Sequence, residues 1–246
     1  MAFTTSLPEL FFAISSALHK KPELYFSNVI GSNIIVLTLI IGGGTLIAKK
    51  LRFQGKTLQQ SSLYSPLIAV LPLLLILDKN LSRVDGIILI FVSFLYLYWL
   101  LYKKARFTEV FLKRIKNGKV NFGLFLKDLA VFFIGISLLL ISSEGLVWST
   151  LNLAGELKIP LLIIGFFLAA LGTSIPEITF GIKALKTNHK DMILGDAIGS
   201  VVVNSTLVLG IGVLIFPFEV PNLSPYSVGI IFTAITALFF AIFART

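Results

Sequence analysis

The sequence predicts an all-α integral membrane protein built from two related halves that cross the bilayer in opposite directions. Three observations predict it: a shortage of charge, a succession of long apolar runs, and a polar motif that returns once at a fixed offset. Apolar residues make up 56% of the 246-residue chain and charged residues 13%, with a mean hydropathy of +0.94. Soluble domains carry about 25% charged residues because their surfaces must be hydrated. A chain so poor in charge cannot cover itself with a polar shell, so lipid must replace water over most of its surface.

A helix needs about 20 apolar residues to cross a bilayer. The runs that approach this are Leu7–Leu18, Leu24–Ala48, Leu63–Leu77, Gly86–Tyr102, Leu129–Thr150, Ile159–Leu185, Met192–Phe216 and Pro225–Ala244. They predict about eight transmembrane helices, the first of them short. Pro66 and Pro72 soften the ends of the third run. Lys127 and Asp128 are expected at a span boundary.

The net charge of +9 is explained by where the basic residues fall, so no nucleic-acid partner is expected. Numbering the loops alternately, one side receives Lys49, Lys50, Arg52 and Lys56, the run Lys103 to Lys119, then Lys183, Lys186, Lys190 and Arg245. The other side receives Lys20, Lys21, Lys79, Arg83 and Lys158. The richer side is cytoplasmic by the positive-inside rule. The chain has no cysteine, which excludes disulfides, thiolate metal sites and thiol catalysis. Met1 to Leu18 has neither a basic n-region nor a cleavage site, so no signal peptide is read there.

The stretch Thr5-Ser6-Leu7-Pro8-Glu9 returns as Thr173-Ser174-Ile175-Pro176-Glu177, an offset of 168 residues. Without a gap, the same offset carries Gly31-Ser32 onto Gly199-Ser200, Thr38-Leu39 onto Thr206-Leu207, and Gly42 and Gly44 onto Gly210 and Gly212. Matching Pro, Glu, Gly and Ser positions make coincidence improbable. Five spans separate the copies on this reading, so the two halves run oppositely, as in secondary transporters whose substrate site lies between inverted repeats near the midplane. The offset maps Leu129–Thr150 upstream of Met1 and Gly86–Tyr102 onto 254–270, so the chain is expected to be shortened at both ends relative to a complete pair. The boundaries that follow are a first, truncated repeat over 1–102, a basic cytoplasmic loop over 103–126 and a second repeat over 127–246 lacking its last span.

Glu9 and Glu177 carry the sharpest chemistry. A carboxylate inside a span is costly unless it is paired, protonated or bound to a cation. The alternative role is a protonated Glu bonded between helices. Proline one residue earlier removes a donor and crowds the preceding turn. The helix should therefore break at Thr173-Ser174, freeing carbonyls for hard cations. Carboxylates, hydroxyls and carbonyls form an all-oxygen set suited to calcium or sodium. His19 and His189, the chain's 2 histidines, fall in loops and suggest no zinc or copper site.

A second element, Asn28-Val-Ile-Gly-Ser32-Asn33, matches Asp196-Ala-Ile-Gly-Ser200, followed by Asn204. Its glycines, at small-xxx-small spacing, suit close helix packing. Ser200 and Asn204 share a helical face. Asp196, one turn earlier, either lines an ion route or caps a helix. Glu144, after Ser142 and Ser143, is read as a structural or accessory acid. Gly42-Gly43-Gly44 has no preceding strand or following P-loop lysine, so it is a helix contact and not a nucleotide loop. The 22 phenylalanines are mostly lipid-facing or interfacial. Among enzyme signatures, no His-carboxylate metal set, GxSxG or paired catalytic aspartates occurs in the spans, so no enzyme is expected.

At Leu168-Ala-Ala-Leu-Gly-Thr-Ser-Ile-Pro-Glu177 and Gly195-Asp-Ala-Ile-Gly-Ser200, the chain resembles the sodium/calcium exchanger superfamily of cation antiporters. The resemblance is strongest over Thr5–Ile47 and Glu144–Leu214. It implies about eight spans where the family has ten, calcium and sodium as transported substrates rather than cofactors, and competition between them at the motif glutamates. The implied ligands are Thr5, Ser6, Glu9 and Ser32 from the first repeat, with Thr173, Ser174, Glu177, Ser200 and Asn204 from the second. The family usually has an asparagine four residues after the first-repeat serine; here that position is Val36. Loss of that oxygen leaves open fewer sodium sites, an altered stoichiometry or a proton as counter-ion, and together with the missing spans it leaves open a non-transporting fragment or subunit. The expected location is a prokaryotic cell (inner) membrane.

Overall fold

The computed structural model describes residues 2–48, 56–103, 122–187, 189–220 and 222–244. Most of the basic loop predicted over 103–126 lies outside the described residues, as do Lys49, Lys50 and Arg52. The described chain is helical nearly throughout. It opens with a single turn, α1 (Ala2–Thr5), then α2 (Leu7–Leu18) and α3 (Pro22–Ile35). From α3 the chain runs through a π-helical segment, Val36–Gly42, into α4 (Gly43–Ala48). Next come α5 (Lys56–Leu75), α6 (Arg83–Lys103) and the long α7 (Phe122–Leu157). The second half continues with α8 (Leu161–Ile164), a π segment Gly165–Ala169, α9 (Ala170–Thr173) and α10 (Ile175–Lys186). Then α11 (Lys190–Val203), a third π segment Asn204–Val208, α12 (Leu209–Ile215) and α13 (Ser224–Phe243) complete the described chain. One pair of two-residue antiparallel strands, β1 (Asn80–Leu81) and β2 (Phe218–Glu219), ties the turn after α5 to the turn after α12.

The span count differs from the sequence reading. Among the described residues, six helices are long and apolar enough to cross a membrane, and the pair Leu161–Thr173 and Ile175–Lys186, bent by 45°, makes up to seven. The run Leu7–Leu18 forms a 12-residue helix that reaches only about 18 Å at 1.5 Å per residue, short of the roughly 30 Å hydrocarbon core. With α1 it is instead the counterpart of the bent pair: a helix interrupted partway. Lys127 and Asp128, expected at a boundary, lie inside α7, which starts earlier than its apolar run. Helix α5 runs through both Pro66 and Pro72.

Burial separates the helices into a centre and a rim. Half of the apolar stretch in Pro22–Ala48 and 72% of that in Met192–Ile215 are buried, against 11% in Leu126–Leu157 and 17% in Arg83–Tyr102. Helices α3 and α11 are therefore the centre, while α6 and α7 present Phe91, Phe94, Phe132 and Phe133 outward. In water such a surface would aggregate; in lipid it is the solvated face. The core joins Phe26, Val29 and Ile30 of α3 to Val208, Leu209 and Val213 of the second half. Tyr25, fully buried, anchors its hydroxyl by donating to the Phe216 carbonyl at 2.7 Å.

The repeat is visible in the backbone itself. At the offset of 168, α2 matches α10, α3 matches α11, and the π segments begin at Val36 and Asn204. Two glycines fix how the halves cross. A Cβ on Gly31 would strike the Phe166 carbonyl and lie 2.7 Å from the Ala170 Cβ, and one on Gly199 would strike the Ala2 Cβ. The offset relates Gly31 to Gly199 and Ala2 to Ala170, so each half sets its small residue against the other's glycine. Such contacts let membrane helices approach closely. Gly31→Ala is expected to destabilise the protein by about 1–3 kcal/mol through overpacking. Gly135→Ala on α7, where an added Cβ meets nothing within 4 Å, should leave it unchanged. Thermal unfolding in detergent compares the two.

Candidate cation site

Each half interrupts a helix at its motif serine. Ser6 sits at φ −82°, ψ 5° between α1 and α2, and Ser174 at φ −83°, ψ 3° between α9 and α10. Pro8 and Pro176 follow in the first turn of the next helix. Lacking an N–H, they cannot bond the carbonyls four residues back, and those oxygens are freed toward the break. The break predicted at Thr173-Ser174 is therefore present, and its twin lies at Thr5-Ser6.

Glu9 and Glu177 stand in the first turns of α2 and α10, at the positive ends of the helix dipoles. They are 0% and 1% exposed. None of their four carboxylate oxygens has a hydrogen-bond partner among the described residues. Thr173 and Ser174 lie beside Glu9, and Thr5 and Ser200 beside Glu177, while the two carboxylates are close enough to repel one another. Glu9 is thus flanked by Thr173 and Ser174 of the second half, and Glu177 by Thr5 of the first half together with Ser200 of its own.

The hydroxyls of the motif threonines stitch the breaks to the central helices. Thr5 Oγ1 lies 3.3 Å from Ser200 Oγ and donates to Asp196 Oδ1 at 3.4 Å. Thr173 Oγ1 lies 3.4 Å from Ser32 Oγ and donates to Asn28 Oδ1 at 3.1 Å. The offset turns one set into the other. Of the nine residues predicted as ligands, Thr5, Glu177 and Ser200 gather on one side and Glu9, Thr173, Ser174 and Ser32 on the other. Ser6 is buried at its break with an unpartnered hydroxyl, as is Ser174. Asn204 is fully buried at the start of its π segment with both amide atoms unpartnered. Its counterpart is Val36, equally buried.

Two residues have larger places than the sequence alone assigned. Asn28 joins the site through Thr173. Asp196, read as either an ion-route residue or a cap, lies inside α11, so it caps nothing, and it joins the site through Thr5. The signal available was their shared offset within a buried helix. Asn33 faces elsewhere, donating to Ser205 Oγ at 2.7 Å.

Buried polar atoms are normally paired, because each orphan costs about 1–3 kcal/mol. Here the unpaired carboxylate, hydroxyl and amide oxygens collect where two interrupted helices meet among apolar spans. Such a set suits a cation that arrives and leaves. The class defined is a membrane-embedded cation transporter, not an enzyme.

The chain matches the sodium/calcium exchanger protein family over residues 1–102 and 127–246, and it belongs to that family. It is 30% identical over 245 residues to inner membrane protein YrbG of Escherichia coli (strain K12), covering 95% of this chain and 74% of that one. It is 25% identical to sodium/calcium exchanger MaX1 of Methanosarcina acetivorans, covering 91% of this chain and 74% of the relative. Among solved structures, the sodium-calcium exchanger NCX_Mj soaked with 2.5 mM Na+ and 1 mM Sr2+ superposes with a TM-score of 0.68 at 28% identity, covering 100% of this chain and 77% of that one.

Thr173→Val keeps the shape but leaves Asn28 Oδ1 without its donor. It should lower stability by about 1–3 kcal/mol, while Thr173→Ser retains most of it. Thermal unfolding in detergent without added cation measures both.

Proposed function

We propose that the chain exchanges calcium for sodium across a prokaryotic cell membrane by alternating access. One observation carries the reading: Glu9 and Glu177, both fully buried and unpartnered, are brought together by two matching helix breaks. A carboxylate at bilayer depth costs roughly 2.5–3.5 kcal/mol by insertion measurements, and two that repel each other cost more. A divalent cation between them, or monovalent cations in its place, removes that penalty. Calcium and sodium then compete for the same oxygens, and competition couples their fluxes. The ligands on this reading are Thr5, Ser6, Glu9, Ser32, Thr173, Ser174, Glu177, Ser200 and Asn204. The names of MaX1 and NCX_Mj support calcium and sodium as the substrates.

The two halves have matching helix boundaries at the 168-residue offset, and on this reading the basic segment 103–126 lies on the cytoplasmic side by the positive-inside rule. Opposite orientation would let one set of contacts open inward and its counterpart outward. A proton as counter-ion is the second reading. It is favoured by Val36, which supplies no oxygen opposite Asn204, and by Asp196, a third buried acid beside Glu177.

The test is calcium-45 uptake into sodium-loaded proteoliposomes. Sodium-dependent uptake is expected, with uptake abolished in a folded Glu177→Gln variant. Uptake driven by a pH gradient without sodium selects the proton. Uptake retained in Glu177→Gln, or absent from folded wild-type protein under sodium, potassium and proton gradients, overturns the reading. Calcium should also raise the unfolding temperature of the wild type, because a ligand bound only by the folded state stabilises it. It should leave Glu177→Gln unmoved.

A further inference from the structure

At the end of α2 away from Glu9, a second polar cluster joins this helix to α7. Glu144 Oε2 accepts a hydrogen bond from Ser15 Oγ at 2.6 Å, and Glu144 Oε1 lies 3.0 Å from His19 Nε2. The other ring nitrogen, His19 Nδ1, lies 2.9 Å from the Ser15 carbonyl oxygen. A carbonyl and a carboxylate can only accept. Both ring nitrogens must therefore donate, which a neutral imidazole cannot do. The arrangement is made for an imidazolium.

We propose that His19 and Glu144 form a charged clamp that holds α2 against α7 and thereby fixes the position of Glu9, making both of them positioning residues for the cation site. The proposal deepens the exchanger reading and rests on it for what Glu9 binds. α2 is a 12-residue helix, so a constraint at its end, roughly 15 Å from Glu9 at 1.5 Å per residue, is transmitted by a rigid rod. The offset puts Lys183 and Thr187 at the positions of Ser15 and His19, and neither makes an ion pair among the described residues. Among those residues the clamp thus holds one of the two glutamate-bearing helices and has no counterpart on the other.

His19 and Glu144 are 37% and 55% exposed. Lys20, Lys21 and Glu23 follow His19 closely in the chain, and among the described residues none of them pairs with His19 or Glu144.

The chain's lack of cysteine makes a distance measurement simple. Leu18 and Trp148, 67% and 65% exposed, are replaced by Cys and spin-labelled in the full chain. A narrow distance distribution is expected for the otherwise wild-type chain. His19→Gln and Glu144→Gln should broaden it. His19→Arg, which keeps a cation, should stay narrow. Distances indifferent to His19→Gln and Glu144→Gln overturn the clamp. In the same preparations, calcium-45 binding to His19→Gln should be weaker than wild type by about tenfold, with His19→Arg restoring most of it. Binding by His19→Gln equal to wild type overturns the link to Glu9. Wild-type protein that binds no calcium sinks the exchanger reading instead, and the distances still judge the clamp.

Discussion

Two carboxylates buried near one another among apolar helices, with no hydrogen-bond donor among the described residues, are the constraint around which this molecule is arranged. A soluble protein could relax such a pair by admitting water. Here apolar helices surround it, and nearly every backbone polar group is committed to a helix. Relief must come from what the chain itself brings: helix N-termini, freed carbonyls, hydroxyls and a mobile cation. Each of these has a sequence cause. Pro8 and Pro176 open the backbone, Ser6 and Ser174 occupy the opening, and the first turns that follow direct their dipoles at Glu9 and Glu177.

The remainder of the fold holds these breaks in register. Gly31 and Gly199 let α9 and α1 lie directly on the central helices. Only at that separation can Thr173 reach Asn28 and Ser32, and Thr5 reach Asp196 and Ser200. A methyl group at either glycine would push apart groups whose bonds are already near their longest useful length. Close packing and the polar site are therefore one requirement. The π segments beginning at Val36 and Asn204 continue the central helices beyond the site, and such local widening leaves backbone and side chain less tightly committed than a regular helix.

Much of this was legible in the sequence because its causes are local. Proline, glycine and glutamate act within a turn of where they stand, so the motif and its 168-residue offset predicted the breaks and the two glutamates together. What depends on length or on apposition was harder to see. Leu7–Leu18 reads as a span because it is apolar, yet it is one arm of an interrupted helix. Lys127 and Asp128 looked like a boundary, yet a long helix carries them within it. The offset tells which residues are equivalent and not which ones touch, so the bond from Thr5 to Asp196 could not be read from it. His19 and Glu144 are 125 positions apart, with no motif to join them.

The departures from the repeat are as informative as the repeat. Two identical halves would give two equivalent sets of ligands and no reason to favour one order of events. Here Asn204 is buried with an amide unpartnered among the described residues where the other half has Val36, and Asp196 stands where the other half has the neutral Asn28. The second change puts an additional acid beside Glu177. The tether at His19 and Glu144 falls in the opposite half, on the helix of Glu9. Glu9 therefore sits on a tethered helix beside Thr173, Ser174 and Ser32, and Glu177 on a helix without that tether beside Thr5, Ser200 and Asp196. On the exchanger reading, that inequality makes the Glu177 helix the one free to adjust as ions of different charge and size replace each other, while Glu9 serves as the fixed side of the site.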